Sequence, residues 1–146
     1  MCCGPIIIAG FLMPNCGKNN VQIKPGIKAT TATLELMLFR ILQEALTNVQ
    51  RHAYSRLVHV SIVRKKQEIV LTIADRGRGI SSQQLHSFQQ RNAGAGIGLI
   101  IMRERLEEHK GDLQIYSSSR GTQLTARVPT SKGAFQPARA PSPVTT

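Results

Sequence analysis

The sequence has no tryptophan, and its 146 residues include only two tyrosines and four phenylalanines. Proteins that hold single-stranded nucleic acid stack bases on aromatic rings, and little is present here for that purpose. Acidic residues are also scarce: eight Asp and Glu against nineteen Lys and Arg give a formal charge of +11. Such an excess attracts nucleic acid or anionic membrane non-specifically. The basic residues are scattered, however, and only Arg64-Lys65-Lys66 forms a run, so no specific nucleic-acid partner is expected. The cysteines, Cys2, Cys3 and Cys16, are odd in number and lack the paired spacing of a zinc site, so they read as reduced thiols in a cytoplasmic protein. No stretch approaches the roughly 20 apolar residues that cross a bilayer. Residues 5–13, PIIIAGFLM, are too short to span and lack the basic residues that precede a secretory segment; they read as a buried strand.

Against these absences stands one dense stretch, Phe39 to Ala53, FRILQEALTNVQRHA. Leu34, Met37, Leu38, Ile41, Leu42, Ala45, Leu46 and Val49 follow the i, i+3, i+4 spacing of one helix face, which must be buried. Arg40, Glu44, Thr47 and Arg51 gather opposite, with Asn48 one turn beyond Glu44 at the border. A carboxylate and a carboxamide one turn apart offer oxygen ligands to magnesium, which keeps waters and substrate phosphates as its other ligands. The same spacing also describes an ordinary amphipathic helix with a solvated polar face.

Two glycine-rich segments narrow the reading. Asp75 to Ile80, DRGRGI, follows the apolar run Ile69 to Ala74 and so starts where a buried strand ends. A carboxylate there can accept a hydrogen bond from an exocyclic amine, and Gly77 and Gly79 let backbone approach a flat ring. Ala93 to Leu99, AGAGIGL, leads into the helical pattern of Leu99 to Lys110. Glycines before a helix leave N–H groups aimed at an anion, with the helix dipole favouring negative charge.

The intervening chain completes an α+β pattern. Val21 to Lys24 reads as an edge strand before Pro25-Gly26, and Thr31 or Thr33 is available as N-cap, with Glu35 in the first turn. Val58, Val60, Ile62 and then Ile69, Leu71, Ile73 alternate on either side of Arg64 to Gln67, the mark of an antiparallel hairpin. Leu99, Met102 and Leu106 supply a second helical stripe, with Arg103, Glu104 and Arg105 facing outward or toward phosphate and Gly111 as C′ residue. Leu113 to Tyr116 and Gln123 to Val128 read as closing strands. From Thr130 onward Pro137, Pro141 and Pro143 sit among Ser, Thr and Ala without periodicity, the composition of a disordered tail. The expected organisation is thus an N-terminal segment 1–20, one domain 21–129 and a tail 130–146.

An E-x-x-x-N helix, D-x-G-x-G after a strand, G-x-G-x-G before a helix and Gly121-Thr122 opening a last strand, in that order, resemble the ATP-binding domain shared by sensor histidine kinases, gyrase-type topoisomerases, heat-shock chaperone ATPases and mismatch-repair ATPases. Within that group RILQEALTNVQRHA, DRGRGI, GAGIGLIIMRERL, EEHKGDLQI and GTQLTARVP are most similar to sensor histidine kinases of the NarX, DegS and LiaS type. The resemblance implies a two-layer α/β sandwich of the Bergerat type, its mixed, mostly antiparallel sheet carrying helices on one face. It implies ATP and Mg2+ as ligands. Asp75 would read the adenine amino group, with Gly77, Gly79 and Ile80 beside it, and Thr122 would support the base. Asn48 would ligate magnesium, and Glu44 would orient the metal or the attacking group as the catalytic carboxylate. Arg51 and His52 would lie near the phosphates, Gly94, Gly96, Gly98 and Leu99 would shape the phosphate-facing helix start, and Ser81 to Asn92 would be a short mobile lid. Ile101 departs from the pattern, since many of these kinases carry Gly there.

None of His52, His59, His86 and His109 is followed by an acidic residue in the manner of the usual phosphoacceptor helix. The resemblance therefore implies a catalytic domain that phosphorylates a histidine supplied in trans, with a response regulator downstream, or else a truncated product that binds ATP idly. A monomer is expected, because dimerisation in the resembling kinases belongs to other helices. Two alternatives stay open: an anti-sigma-factor-type serine kinase, and a degenerate domain acting as a basic nucleic-acid-binding or interaction module.

Overall fold

The computed structural model describes residues 6–8, 11–13, 20–23, 32–55 and 57–130. Strands β1 (Ile6–Ile8) and β2 (Phe11–Met13) form a two-stranded antiparallel sheet of their own, so two paired strands stand where one was expected. The main sheet has five strands: β3 (Asn20–Ile23), β4 (Val58–Arg64), β5 (Glu68–Asp75), β6 (Asp112–Ser118) and β7 (Gly121–Pro129), in the order β3-β4-β5-β7-β6. β3 lies at the edge and pairs parallel with β4, and the remaining pairs are antiparallel. The expected tail, 130–146, lies outside the described residues except for Thr130, whose N–H bonds the Gln67 carbonyl.

Alternation decides which face of the sheet is covered. Ile69, Leu71 and Ile73 on β5 and Leu124, Ala126 and Val128 on β7 are buried, while their neighbours along each strand are more open. Helix α1 (Ala32–Asn48) lays Met37, Leu38, Ile41, Leu42 and Ala45 on that face, and α3 (Ile97–Glu108) adds Leu99, Met102 and Leu106. Each of the Leu, Ile, Val and Met side chains among them contributes about 1.5–3 kcal/mol by leaving water. Sheet and helices thus form the two layers, with the core between them.

Three details depart from the sequence reading. Helix α1 does not run unchanged to Ala53: Val49–Ala53 is a wider π-helical turn that stops at Tyr54, whose φ of 53° is left-handed. Ser81 to Asn92, expected as a short mobile lid, contains helix α2 (Ser82–Gln89), capped by the Ser81 hydroxyl accepting from the Gln84 N–H. Its Phe88 is buried, and Arg103 of α3 donates to the Phe88 carbonyl at 2.7 Å with its guanidinium 4.8 Å from the ring centre, so Arg103 braces α2 and does not face phosphate. At the end of α3 the left-handed residue is Lys110, at φ 57°, not Gly111. Gly111 N–H bonds Leu106 O at 2.7 Å and Lys110 N–H bonds Glu107 O at 2.9 Å, the paired bonds of a Schellman motif.

Candidate functional site

The C-terminal part of α1, the π turn, the loop after β5 and the start of α3 surround a cleft of about 700 Å³. That is the size of a small-molecule site. Of the residues singled out from sequence, Glu44, Asn48, Arg51, His52, Asp75, Gly79, Ile80, Gly96, Gly98, Leu99 and Thr122 line it; Gly77 and Gly94 do not. Positions separated by up to 78 residues in the chain are brought to one wall or another of a single cavity.

Asp75 ends β5, and its Oδ1 accepts the Gly77 N–H at 2.7 Å. That bond holds the carboxylate in place and leaves Oδ2 to accept from a ligand amine. The apolar floor beside it is Ile73, Ile115 and Leu124, three inward positions of β5, β6 and β7, which suits a flat heteroaromatic ring. The Thr122 hydroxyl lies 3.0 Å from Ser117 Oγ, which in turn accepts the Ile80 N–H at 2.8 Å. Ser117 thereby joins the hairpin of β6 and β7 to the loop after Asp75.

Gly77 is glycine for a reason other than the approach to a ring. A Cβ there would overlap the Ala53 carbonyl, and one on Gly79, whose φ is +78°, would overlap the Ser118 carbonyl. The protein's own backbone fills the space that a side chain would need.

On the opposite wall Glu44 and Asn48 are half-buried and face the first turn of α3. A Cβ on Gly98 would overlap Glu44 Oε1 and sit 3.5 Å from the Asn48 amide nitrogen, so the absent side chain is what lets these two groups reach the helix start. Gly96 precedes α3 at φ +91° and makes no side-chain cap bond. The first N–H groups of α3 consequently have no capping side chain and favour an anion. Among the described residues no group of three or more His, Cys, Asp or Glu is placed to hold a metal ion. A carboxylate and a carboxamide beside the start of α3 nonetheless fit magnesium, which needs few protein ligands when phosphates and water supply the rest.

Sequence reasoning missed Arg78, Ser81, Gln84 and Ser117. Arg78 and Gln84 line the cleft, the latter by donating to the Ala95 carbonyl at 2.9 Å and so tying α2 to the loop before α3. The contacts of Arg78 and Ser117 link elements distant in sequence, so no local pattern marks them, whereas Ser81 and Gln84 stand at the spacing of a helix cap. Ile101 does not reach this cleft; it borders a separate groove between α1 and α3.

With that geometry in hand, comparison with known proteins is specific. Residues 33–132 match the family described as histidine kinase-, DNA gyrase B-, and HSP90-like ATPase. The DegS signal transduction histidine-protein kinase/phosphatase of Brevibacillus brevis is 34% identical over 97 residues, covering 66% of this chain and 23% of that protein. The sensor histidine kinase LiaS of Bacillus subtilis is 33% identical over 115 residues, covering 77% of this chain and 30% of the relative. The chain therefore spans about a quarter of the length of such relatives. The histidine kinase domain of a blue-light activated histidine kinase from Erythrobacter litoralis superposes with a TM-score of 0.63 at 22% identity, over 77% of this chain and 51% of that one, a likeness of fold.

Proposed function

The chain belongs to the histidine kinase-, DNA gyrase B-, and HSP90-like ATPase family, and from that premise we propose that it binds MgATP and donates the γ-phosphate to a histidine presented by another domain or protein, in a two-component pathway that ends on a response regulator. The observation that carries the reading is the convergence of Asp75, Glu44, Asn48 and the uncapped start of α3 on one cleft of about 700 Å³. Asp75 Oδ2 accepts the adenine amino group, and the ring lies on Ile73, Ile115 and Leu124. The phosphates extend toward Gly96 to Leu99, with Arg51 and His52 alongside. Asn48 Oδ1 and Glu44 hold magnesium, which neutralises charge on the transferring group.

In the transfer the imidazole nitrogen of the acceptor forms a bond to Pγ as the bond from Pγ to the β,γ-bridging oxygen breaks. ADP leaves, and the imidazole proton passes to a nearby base. Glu44, one turn from Asn48 and beside the α3 start, is the carboxylate placed to orient the acceptor or receive that proton. The histidine-kinase reading is preferred to a serine-kinase one because the relatives above carry histidine-kinase names. The test is calorimetric titration of the purified chain with ATP, with and without magnesium. Binding at micromolar to millimolar ATP is expected, and Asn48→Ala should lower affinity about tenfold in magnesium but leave it unchanged in EDTA. A folded chain that takes up no ATP would overturn the reading.

A further inference from the structure

The D-x-G-x-G segment carries an arginine at its second variable position, Arg78, and its surroundings are unusually constrained for an exposed side chain. Its backbone N–H donates to the Ala53 carbonyl at 3.0 Å, and its Nε donates to the His52 carbonyl at 2.7 Å. Its guanidinium lies 5.1 Å from the centre of the Tyr54 ring. Tyr54 is the left-handed residue that ends the π turn, so the stack exists only because the helix stops there. Arg78 also lines the nucleotide cleft, beside Arg51 and His52.

These contacts fix the side chain without using up its chemistry. The bond to His52 engages Nε alone, and the ring contact engages the guanidinium face. Arg78 lines the cleft, and no hydrogen bond among the described residues uses its two terminal nitrogens, a planar fork of the kind that meets two oxygens of a phosphate at once. A fork already held in one orientation loses little rotamer entropy on binding, which raises affinity for the same contact.

We propose that Arg78 is a specificity-determining residue of the nucleotide site, contacting the phosphate part of the ligand while bracing the loop of Asp75 against the end of α1. Arg78 is three residues from Asp75 and bonded to His52, so it lies between the group that reads the base and the groups beside the phosphates. The proposal rests on the ATP-binding reading given above. It predicts discrimination between phosphorylated and unphosphorylated adenosine compounds, supplied by the fork and not by charge alone. Lysine at this position keeps the charge but has neither the Nε bond nor the plane.

The experiment titrates the wild-type chain, Arg78→Ala and Arg78→Lys with MgATP, MgADP and adenosine by calorimetry and NMR shift mapping, with thermal melts as a control of folding. Arg78→Ala should weaken ATP and ADP about tenfold, leaving adenosine unchanged. Arg78→Lys should recover less than half of that loss on a logarithmic scale. An equal loss for all three ligands would reduce Arg78 to a brace of the loop and overturn the contact. Lysine performing as well as arginine would overturn the fork. Wild-type protein that binds ATP while both variants match it would overturn this inference alone, whereas wild-type protein that binds neither nucleotide would overturn it together with the ATP reading.

Discussion

Two glycine-rich loops border the cleft, and they use the same residue for opposite purposes. In the loop after Asp75 a side chain on Gly77 or Gly79 would strike main chain, the carbonyls of Ala53 and Ser118. Around the start of α3, Gly94 and Gly96 would meet the side chains of Ser87 and Gln84, and Gly98 would meet the carboxylate of Glu44. Main chain held in a sheet or helix end cannot move aside, but the end of a long side chain can. The first loop is therefore part of the frame, clamped further by the bonds of Arg78 and Ser117. The second is a clearance kept open for functional groups and ligand.

Substitutions should separate the two. Gly77→Ala forces overlap with backbone and is expected to cost about 3 kcal/mol or more, at the upper end of overpacking effects, read as a fall in urea midpoint. A variant as stable as wild type would show that the Ala53 carbonyl yields and that the frame is softer than described. Gly98→Ala should do the reverse. Alanine favours a helix over glycine by up to about 1 kcal/mol and Glu44 can swing away, so the melt should hold or rise slightly. The displaced carboxylate should nevertheless weaken the response of ATP binding to magnesium about fivefold, compared by titration with and without the metal. Loss of stability with intact magnesium response would cancel the distinction. Gly94→Ala meets the Ser87 side chain, Oγ at 2.9 Å and Cβ at 3.3 Å, in an exposed turn. Both stability, within about 0.5 kcal/mol, and ATP affinity should stay near wild type.

The same contrast explains how much was legible in the sequence. The apolar stripe of α1, the alternation in β4 and β5 and the order of the polar motifs are local patterns, and the structure contains them where the spacing puts them. The cleft could be anticipated because its residues fall in four short stretches. What was not legible depends on partners far along the chain. Ser117 meets Ile80 across 37 positions, and Arg78 meets His52 across 26. Helix α2 could not be read from its own pattern because Leu85 and Phe88 are its only apolar anchors; the Ser81 cap and the grip of Arg103 on Phe88 supply what that pattern lacks. Lys110 took the left-handed position expected near Gly111 because Gly111 is needed one step later, where a side chain would crowd Arg127 and Val128.

The central claim is that a carboxylate fixed at the end of β5 selects adenine in this cleft. The most direct measurement is a pair of calorimetric titrations, ATP and GTP in magnesium, on the wild-type chain and on Asp75→Asn. Adenine offers an amino group where guanine offers a carbonyl, so the account predicts that wild-type protein binds ATP and not GTP, and that Asp75→Asn binds ATP weakly with its preference blurred. Equal binding of ATP and GTP by wild type, or a preference that survives Asp75→Asn, would contradict it.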